Sequence, residues 1–192
     1  MTRMHDVAAL LPHQPPMRLL DELLAVEPDD LLALADPRHI DGLGLPRSAQ
    51  RVFALELLAQ TAAAYAALAA RATAEAGRAP PTTPGMLLGS RSFELMRAIP
   101  DACAWLTVHI RRKTPLLGAG LAKFSGTVWA LESEAIVELR DALGARKPGA
   151  ASVATLLATQ YDGSLVGRGD LSVYLPNPNA NASANANRGA SS

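Results

Sequence analysis

The chain of 192 residues contains a single cysteine, Cys103. One thiol can neither close an internal disulfide nor build a metal cluster, so the fold must rest on packing. With Ala102 and Ala104 beside it, Cys103 is expected to be a small core residue rather than a nucleophile. An excess of either charge is also missing: 18 basic residues balance 18 acidic ones, and there is no basic arm or acidic tail. That balance excludes the electrostatic footprint of a nucleic-acid binder. The longest apolar stretch, residues 52–70, is interrupted by Glu56 and Gln60 and dominated by Ala. It falls short of the strongly apolar run of about 20 residues that spans a membrane, and it reads as a buried helix. Residues 1–6 hold Arg3, His5 and Asp6 ahead of a Pro-rich segment. With no apolar h-region and no small-residue cleavage site there, a cytoplasmic protein is expected. No GxGxxG, GxxxxGK, GxSxG, HExxH or CxxC occurs, which leaves nucleotide binding and serine hydrolysis without a starting residue.

What is present fits one domain, at about 100–200 residues per domain. Residues 1–176 are read as that domain. The remainder, 177–192, has no large apolar side chain and one charge, Arg188. Burial cannot offset its ordering entropy, so a solvated low-complexity tail is expected. The segment 52–76 is rich in Ala, Leu, Glu and Gln, lacks Gly and Pro, and is followed by Gly77, the marks of a long helix. Its middle is apolar almost all round, and Ala62, Ala63, Ala64, Ala66 and Ala67 let other elements approach closely, which predicts a central helix.

Strands are expected over 17–26 and 30–35, which are Leu-rich and punctuated by Pro15, Pro16 and Pro28. Further strands are expected over 86–95, 104–111, 122–130, 153–161 and 164–175. Trp105, Thr107, His109 and Arg111 alternate with Leu106, Val108 and Ile110, and Tyr161-Asp162-Gly163-Ser164 signals a turn. Residues 132–148 read as a short helix or strand plus loop. One long buried helix with a series of antiparallel strands is an α+β architecture.

Two motifs suggest a family. Near the start stands Leu11-Pro12-His13-Gln14-Pro15-Pro16-Met17-Arg18-Leu19-Leu20-Asp21, and the helix carries Ala54-Leu55-Glu56-Leu57-Leu58-Ala59-Gln60. The pair resembles the hotdog-fold β-hydroxyacyl-acyl-carrier-protein dehydratases, with an LPHxxPxxLLD-like opening and an E-x-x-A-Q segment on a central helix. Gly85-Met86-Leu87-Leu88-Gly89-Ser90-Arg91 looks more like the divergent branch associated with aryl polyene synthesis. The likeness covers residues 10–176. It implies a curved antiparallel sheet wrapped around one long helix, and a dimer of such chains or a pairing with another hotdog subunit. It also implies removal of water from a 3-hydroxyacyl chain, held on the phosphopantetheine arm of an acyl carrier protein, to give a trans-2-enoyl thioester. No metal or organic cofactor is implied.

Such an elimination needs a base for the proton beside the thioester carbonyl and an acid for the departing hydroxide. The resemblance implies a loop His and a helix carboxylate, contributed across the dimer interface. It adds a backbone N–H near the helix N-terminus that polarises the thioester oxygen. Glu56 matches the helix acid, and Gln60, one turn later on the same face, is a candidate substrate-binding residue. An acid in so apolar a helix is costly unless it is used or hydrogen-bonded. Fourteen residues before the acid, where the housekeeping enzymes have the His of GHFP, stands Gly42. His39, seventeen before Glu56, is the candidate base, reached by a longer loop.

His13, in the opening motif, is a second catalytic candidate beside a turn-stabilising or pocket-lining role. The PGV expected at the helix entrance is replaced by Gln50-Arg51-Val52. Arg51 is therefore a candidate to replace the lost backbone donor or to meet a pantetheine phosphate. Asp21 is expected to fix local backbone geometry. Arg111-Arg112-Lys113 reads as a solvated strand end or as a dock for an acidic carrier protein. The expected activity is that of a 3-hydroxyacyl-carrier dehydratase. A non-catalytic hotdog subunit paired with an active dehydratase, and an acyl thioesterase on the same fold, stay open beside it.

Overall fold

A computed structural model describes residues 6–75, 86–90, 92–114, 120–147 and 150–175. Among the described residues seven strands form one sheet: β1 (Glu22–Val26), β2 (Asp30–Ala35), β3 (Met86–Ser90), β4 (Glu94–Leu95), β5 (Trp105–Arg112), β6 (Gly120–Leu131) and β7 (Leu165–Leu175). Every pairing is antiparallel, in the order β1-β2-β5-β6-β7-β3, with β4 also on β7. The helices are α1 (His39–Gly42), α2 (Gln50–Glu75), α3 (Ser133–Gly144) and α4 (Val153–Gln160). This is the α+β hotdog architecture expected from the sequence.

Helix α2 lies on one face of the sheet, against β2, β5, β6 and β7. Strand side chains alternate between faces, so Leu31 and Ala33, Leu106, Val108 and Ile110, and Phe124 and Val128 share a core with Phe53, Leu57 and Leu58 of α2. Burying Leu57 or Leu58 completely stabilises the fold by about 1.5–3 kcal/mol each. At Gly126 an added Cβ would stand 2.6 Å from Leu58 Cδ2, so the bare backbone of β6 is what lets α2 approach. Residues Gln50–Ala72 reach the length and mean hydropathy, 1.5, of a membrane-crossing helix, more than the interrupted Ala-rich run suggested. Half of that stretch is nevertheless buried within the chain itself.

The opposite face of the sheet is covered as well. Leu32, Leu34, Trp129 and Leu131 pack with Ile136 and Leu139 of α3 and with Val153 and Leu157 of α4. Residues 153–160 are therefore helix, not the expected strand. Ser152 caps this helix by accepting a 3.2 Å hydrogen bond from the Thr155 N–H. Val153 and Leu157, one turn apart, reach the same core. The turn expected at 161–164 is present as a short 3-10 turn, Asp162–Ser164. Over 132–148 the helical option is realised, and Arg140 fastens α3 to β1 through two 2.6 Å bonds to Glu22.

Two other expected strands are cut short. Over 86–95 there are two strands, and between them Phe93 is buried against β7, where a Cβ on Gly169 would come within 2.7 Å of the Phe93 Cα. Of 17–26 only Glu22–Val26 pairs with β2; Met17–Asp21 instead forms a strap over α2. Pro15 and Pro16 offer no N–H to a ladder, while the Leu19 N–H donates to Gln60 Oε1 (2.9 Å) and Gln60 Nε2 donates to the Met17 carbonyl (2.7 Å). Gln60→Leu is expected to lower stability by about 1–3 kcal/mol, because the buried Leu19 N–H loses its acceptor. Denaturant titration of the full chain checks this, and an unchanged midpoint would contradict it. Ala76, Gly77, the loop 78–84 and the expected tail 177–192 lie outside the described residues, as do Gly85, Arg91, Pro148 and Gly149.

Candidate functional site

Glu56 is half-buried on α2, and from Arg51 to Arg71 it carries the only ionisable carboxyl of the helix. One turn on, Gln60 is buried, 1% exposed. Its Nε2 donates to Glu56 Oε1 at 3.0 Å as well as to the Met17 carbonyl, while its Oε1 accepts from Leu19. Both amide hydrogens are thus engaged, and Gln60 locks Glu56 to the strap. Oε2 of Glu56 has no partner among the described residues, and no described histidine hydrogen-bonds to this carboxyl.

His39 opens α1, directly after β2. Its Nε2 lies 3.1 and 3.0 Å from the two oxygens of Asp21. Asp21 Oδ2 also accepts the Asp36 N–H at 2.7 Å, so the expected backbone role of Asp21 is real and a second one is added to it. The pairing follows from the β1/β2 register: Glu22 faces Leu34, which sets Asp21 opposite the end of β2. Sequence spacing gave no sign of it, since the residues are eighteen apart. The signal that could find it is the pair of expected strands, 17–26 and 30–35, close enough in sequence to fold back on each other. Beside them, the Arg38 guanidinium hydrogen-bonds to Asp36 and, against a smaller burial penalty, holds that carboxyl below the usual carboxylate range.

The neighbours of His39 form a cleft of about 410 Å³ lined by Asp36, Arg38, Ile40, Gln50, Ile99 and Cys103, among others. A second cleft of about 510 Å³ adjoins it around Pro100, Cys103 and Leu131. Glu56 and Gln60 line neither. Gln50 sits at the first turn of α2, and the six residues from it to Glu56 advance roughly 9 Å along the axis. Gln50 Oε1 accepts the Ile99 N–H at 3.0 Å. Burial pushes the Cys103 thiol up, and the thiol donates to the Trp105 carbonyl, which suits an inert side chain; it packs partly buried against the core rather than within it as expected.

His13 precedes the strap, between the Ala9 carbonyl held by Arg71 and the Met17 and Leu19 backbone held by Gln60. Its Nδ1 is buried with no hydrogen-bond partner among the described residues. Arg51 is exposed and donates through Nη2 to the Phe93 carbonyl at 2.9 Å, tying the start of α2 to the segment before β4. The basic run is neutralised in place: Arg111 pairs with Asp30, Arg112 with Asp29 and Lys113 with Asp170. It presents no unpaired cationic patch, which removes the reason to read it as a dock.

The chain matches the family model described as ApeP-like, ApeP dehydratase, over residues 5–184. Among solved structures it is similar to the dehydratase heterocomplex ApeI:P from Xenorhabdus doucetiae, at 20% identity and a TM-score of 0.57, covering 91% of this chain and 93% of that one. That likeness supports the fold. AziG from S. sahachiroi is 12% identical over 82% of this chain and 91% of its own, with a TM-score of 0.45. A thioesterase family protein from Silicibacter pomeroyi is 9% identical over 89% and 96%, with a TM-score of 0.46. Likenesses at these two levels carry no argument. A search of the curated proteins gave no match. The family match takes in the strap, the α1 loop, the helix with Glu56 and Gln60, and the whole sheet, so the chain belongs to the ApeP-like family of dehydratases.

Proposed function

We propose that the chain supplies the acid and base of a 3-hydroxyacyl-carrier dehydratase, in a polyene, polyketide or fatty-acid assembly line. The observation that carries this reading is Glu56, a lone carboxyl on a largely apolar stretch of α2, held at one oxygen by a buried amide while the other oxygen has no partner among the described residues. In this reading His39 removes the proton from the carbon beside the thioester carbonyl, and the electrons of that bond form the C2–C3 double bond. The C3–O bond breaks, and protonated Glu56 delivers its proton through Oε2 to the departing hydroxyl, so one water leaves. A neutral imidazole and a protonated carboxyl are regained when the proton returns from His39 to Glu56 through solvent. Gln60 serves by holding the acid, and Arg51 by holding the entrance of α2.

Within one chain no described histidine hydrogen-bonds to Glu56, and the cleft beside His39 is not lined by it. We therefore place the working site between two hotdog chains, each offering its acid to the other's imidazole. The partner is a second copy or a different hotdog subunit; the similar ApeI:P structure is itself named a heterocomplex. The same absence of an intrachain His–Glu contact favours, as a second reading, a non-catalytic subunit that shapes its partner's acyl tunnel.

The deciding experiment gives a synthetic 3-hydroxyacyl carrier protein to the full chain, alone and co-expressed with a second hotdog chain, with products read by mass spectrometry. Enoyl product that depends on Glu56 supports the proposal. Enoyl product formed equally well by a Glu56→Gln chain assigns the chain the non-catalytic role. Release of free acid would mean thioester hydrolysis, and no product in either arm removes the dehydratase reading.

A further inference from the structure

We propose that Asp21 is the positioning residue for the imidazole of this site: it holds His39 in the tautomer protonated at Nε2 and so leaves Nδ1 as the atom that receives the substrate's proton. The inference deepens the proposed function and rests on it. Both Asp21 oxygens lie within 3.1 Å of His39 Nε2, and an ionised carboxylate can only accept a hydrogen bond, so Nε2 must carry the hydrogen. Nδ1 of His39 has no partner among the described residues and is therefore the ring nitrogen with a lone pair to offer.

The carboxylate is itself held. Its Oδ2 accepts the Asp36 N–H at 2.7 Å, and its own N–H donates to the Leu34 carbonyl at 2.9 Å, so the β1/β2 hairpin fixes where the acceptor stands. His39 in turn begins α1, and the Leu43 N–H donates to the His39 carbonyl at 3.1 Å, anchoring the backbone that carries the ring. The arrangement has the logic of an acid–imidazole pair in which the carboxylate orients the ring and stabilises the imidazolium that forms without itself accepting the proton. A surface ion pair kept only for stability would predict otherwise. The His39 and Asp21 side chains are 29% and 36% exposed, and ion pairs at such exposure contribute little to folding.

Asp21→Asn tests the idea, because the side-chain oxygen can still accept the Asp36 N–H while the anionic acceptor for Nε2 is gone. In the full chain, ¹⁵N NMR of the His39 ring, at a pH where it is neutral, is expected to show a protonated Nε2 and a bare Nδ1, and Asp21→Asn is expected to mix the tautomers. The same substitution is expected to lower kcat on the order of 10²-fold with KM nearly unchanged, since general acid–base groups typically contribute that much or more. Asp21→Glu, which keeps the charge, is expected to recover part of the loss. A native ring protonated at Nδ1, a tautomer indifferent to Asp21→Asn, or an unaltered kcat in the Asn variant would overturn the proposal. A chain that shows the expected tautomer but dehydrates nothing would instead remove the dehydratase reading and leave the pairing standing.

Discussion

Glu56→Gln is expected to lower the rate of enoyl formation by about 10²–10⁴-fold, the usual contribution of a positioned acid. Gln keeps the length of the side chain and an oxygen that can accept from Gln60 Nε2, so the strap contact survives and thermal stability should hardly move. What is lost is the ionisable proton. Mass spectrometry of a carrier-bound 3-hydroxyacyl chain, read as a time course, gives the rate directly. A Gln variant as fast as the parent would strip Glu56 of its role.

Mixing extends the test. Where the site lies between two copies, as proposed, two-fold symmetry gives two equivalent sites, each built from Glu56 of one chain and His39 of the other. A Glu56→Gln chain and a His39→Ala chain, each inactive alone, should therefore regain one working site when they are refolded together. Activity that stays absent in the mixture, while both variants remain folded, would place the acid and base on the same chain or the base elsewhere.

Removing the Asp30 carboxylate is expected to be the most damaging single polar change to the fold. Asp30 begins β2, and its Oδ1 lies 2.7 Å from His109 Nε2 and 2.9 Å from Arg111 Nε, with Oδ2 3.0 Å from Arg111 Nη2. Asp30 and His109 are buried, at 6% and 4% exposure, and Trp129 lies against the His109 ring. Burial by itself would raise the pKa of Asp30. The hydrogen bonds and charges of His109 and Arg111 outweigh that penalty, and the carboxyl sits below its ordinary value. Breaking a buried pair from one side typically costs about 3–5 kcal/mol. Arg111, whose side chain is 42% exposed, can turn to water, which puts Asp30→Ala at the lower end, about 3 kcal/mol. For a chain of this size the melting temperature should fall by roughly 6–12 °C at neutral pH.

The sign with pH follows from linkage. A carboxyl depressed in the folded state stabilises fully above the ordinary Asp value of about 4, and that contribution drains away as the pH falls through the depressed folded value. The gap between the parent chain and Asp30→Asn should therefore be widest near neutrality and close in acid. A gap that is constant across pH, or that widens in acid, would contradict the assignment of the charge to Asp30.

Parts of this molecule could be read from residue spacing alone. Glu56 and Gln60 stand one turn apart whatever surrounds the helix, so their contact was predictable from the helix period. The Ala-rich composition of 52–76 announced an element that strands could approach closely. The alternation along 105–111 told which side chains meet α2, because a strand's two faces are set by its backbone. The alternation did not tell that the second face would be covered too, burying Thr107 and His109. Residues 153–160 misled because an apolar run of that length suits either period, and only the groove beside Trp129 and α3 decided for a helix capped by Ser152.

Local chemistry of the chain thus determined the central helix, the carboxyl placed on it and the amide that would hold it. These depend on neighbours within one turn, and the helix period brings such neighbours together in any context. Tertiary structure alone decided the rest: the β1/β2 register that sets Asp21 on His39, the strap that closes over Gln60, and the acids that neutralise Arg111, Arg112 and Lys113. Those contacts join residues far apart along the chain, where geometry is fixed by how strands pair and layers stack. No periodicity in the sequence records that.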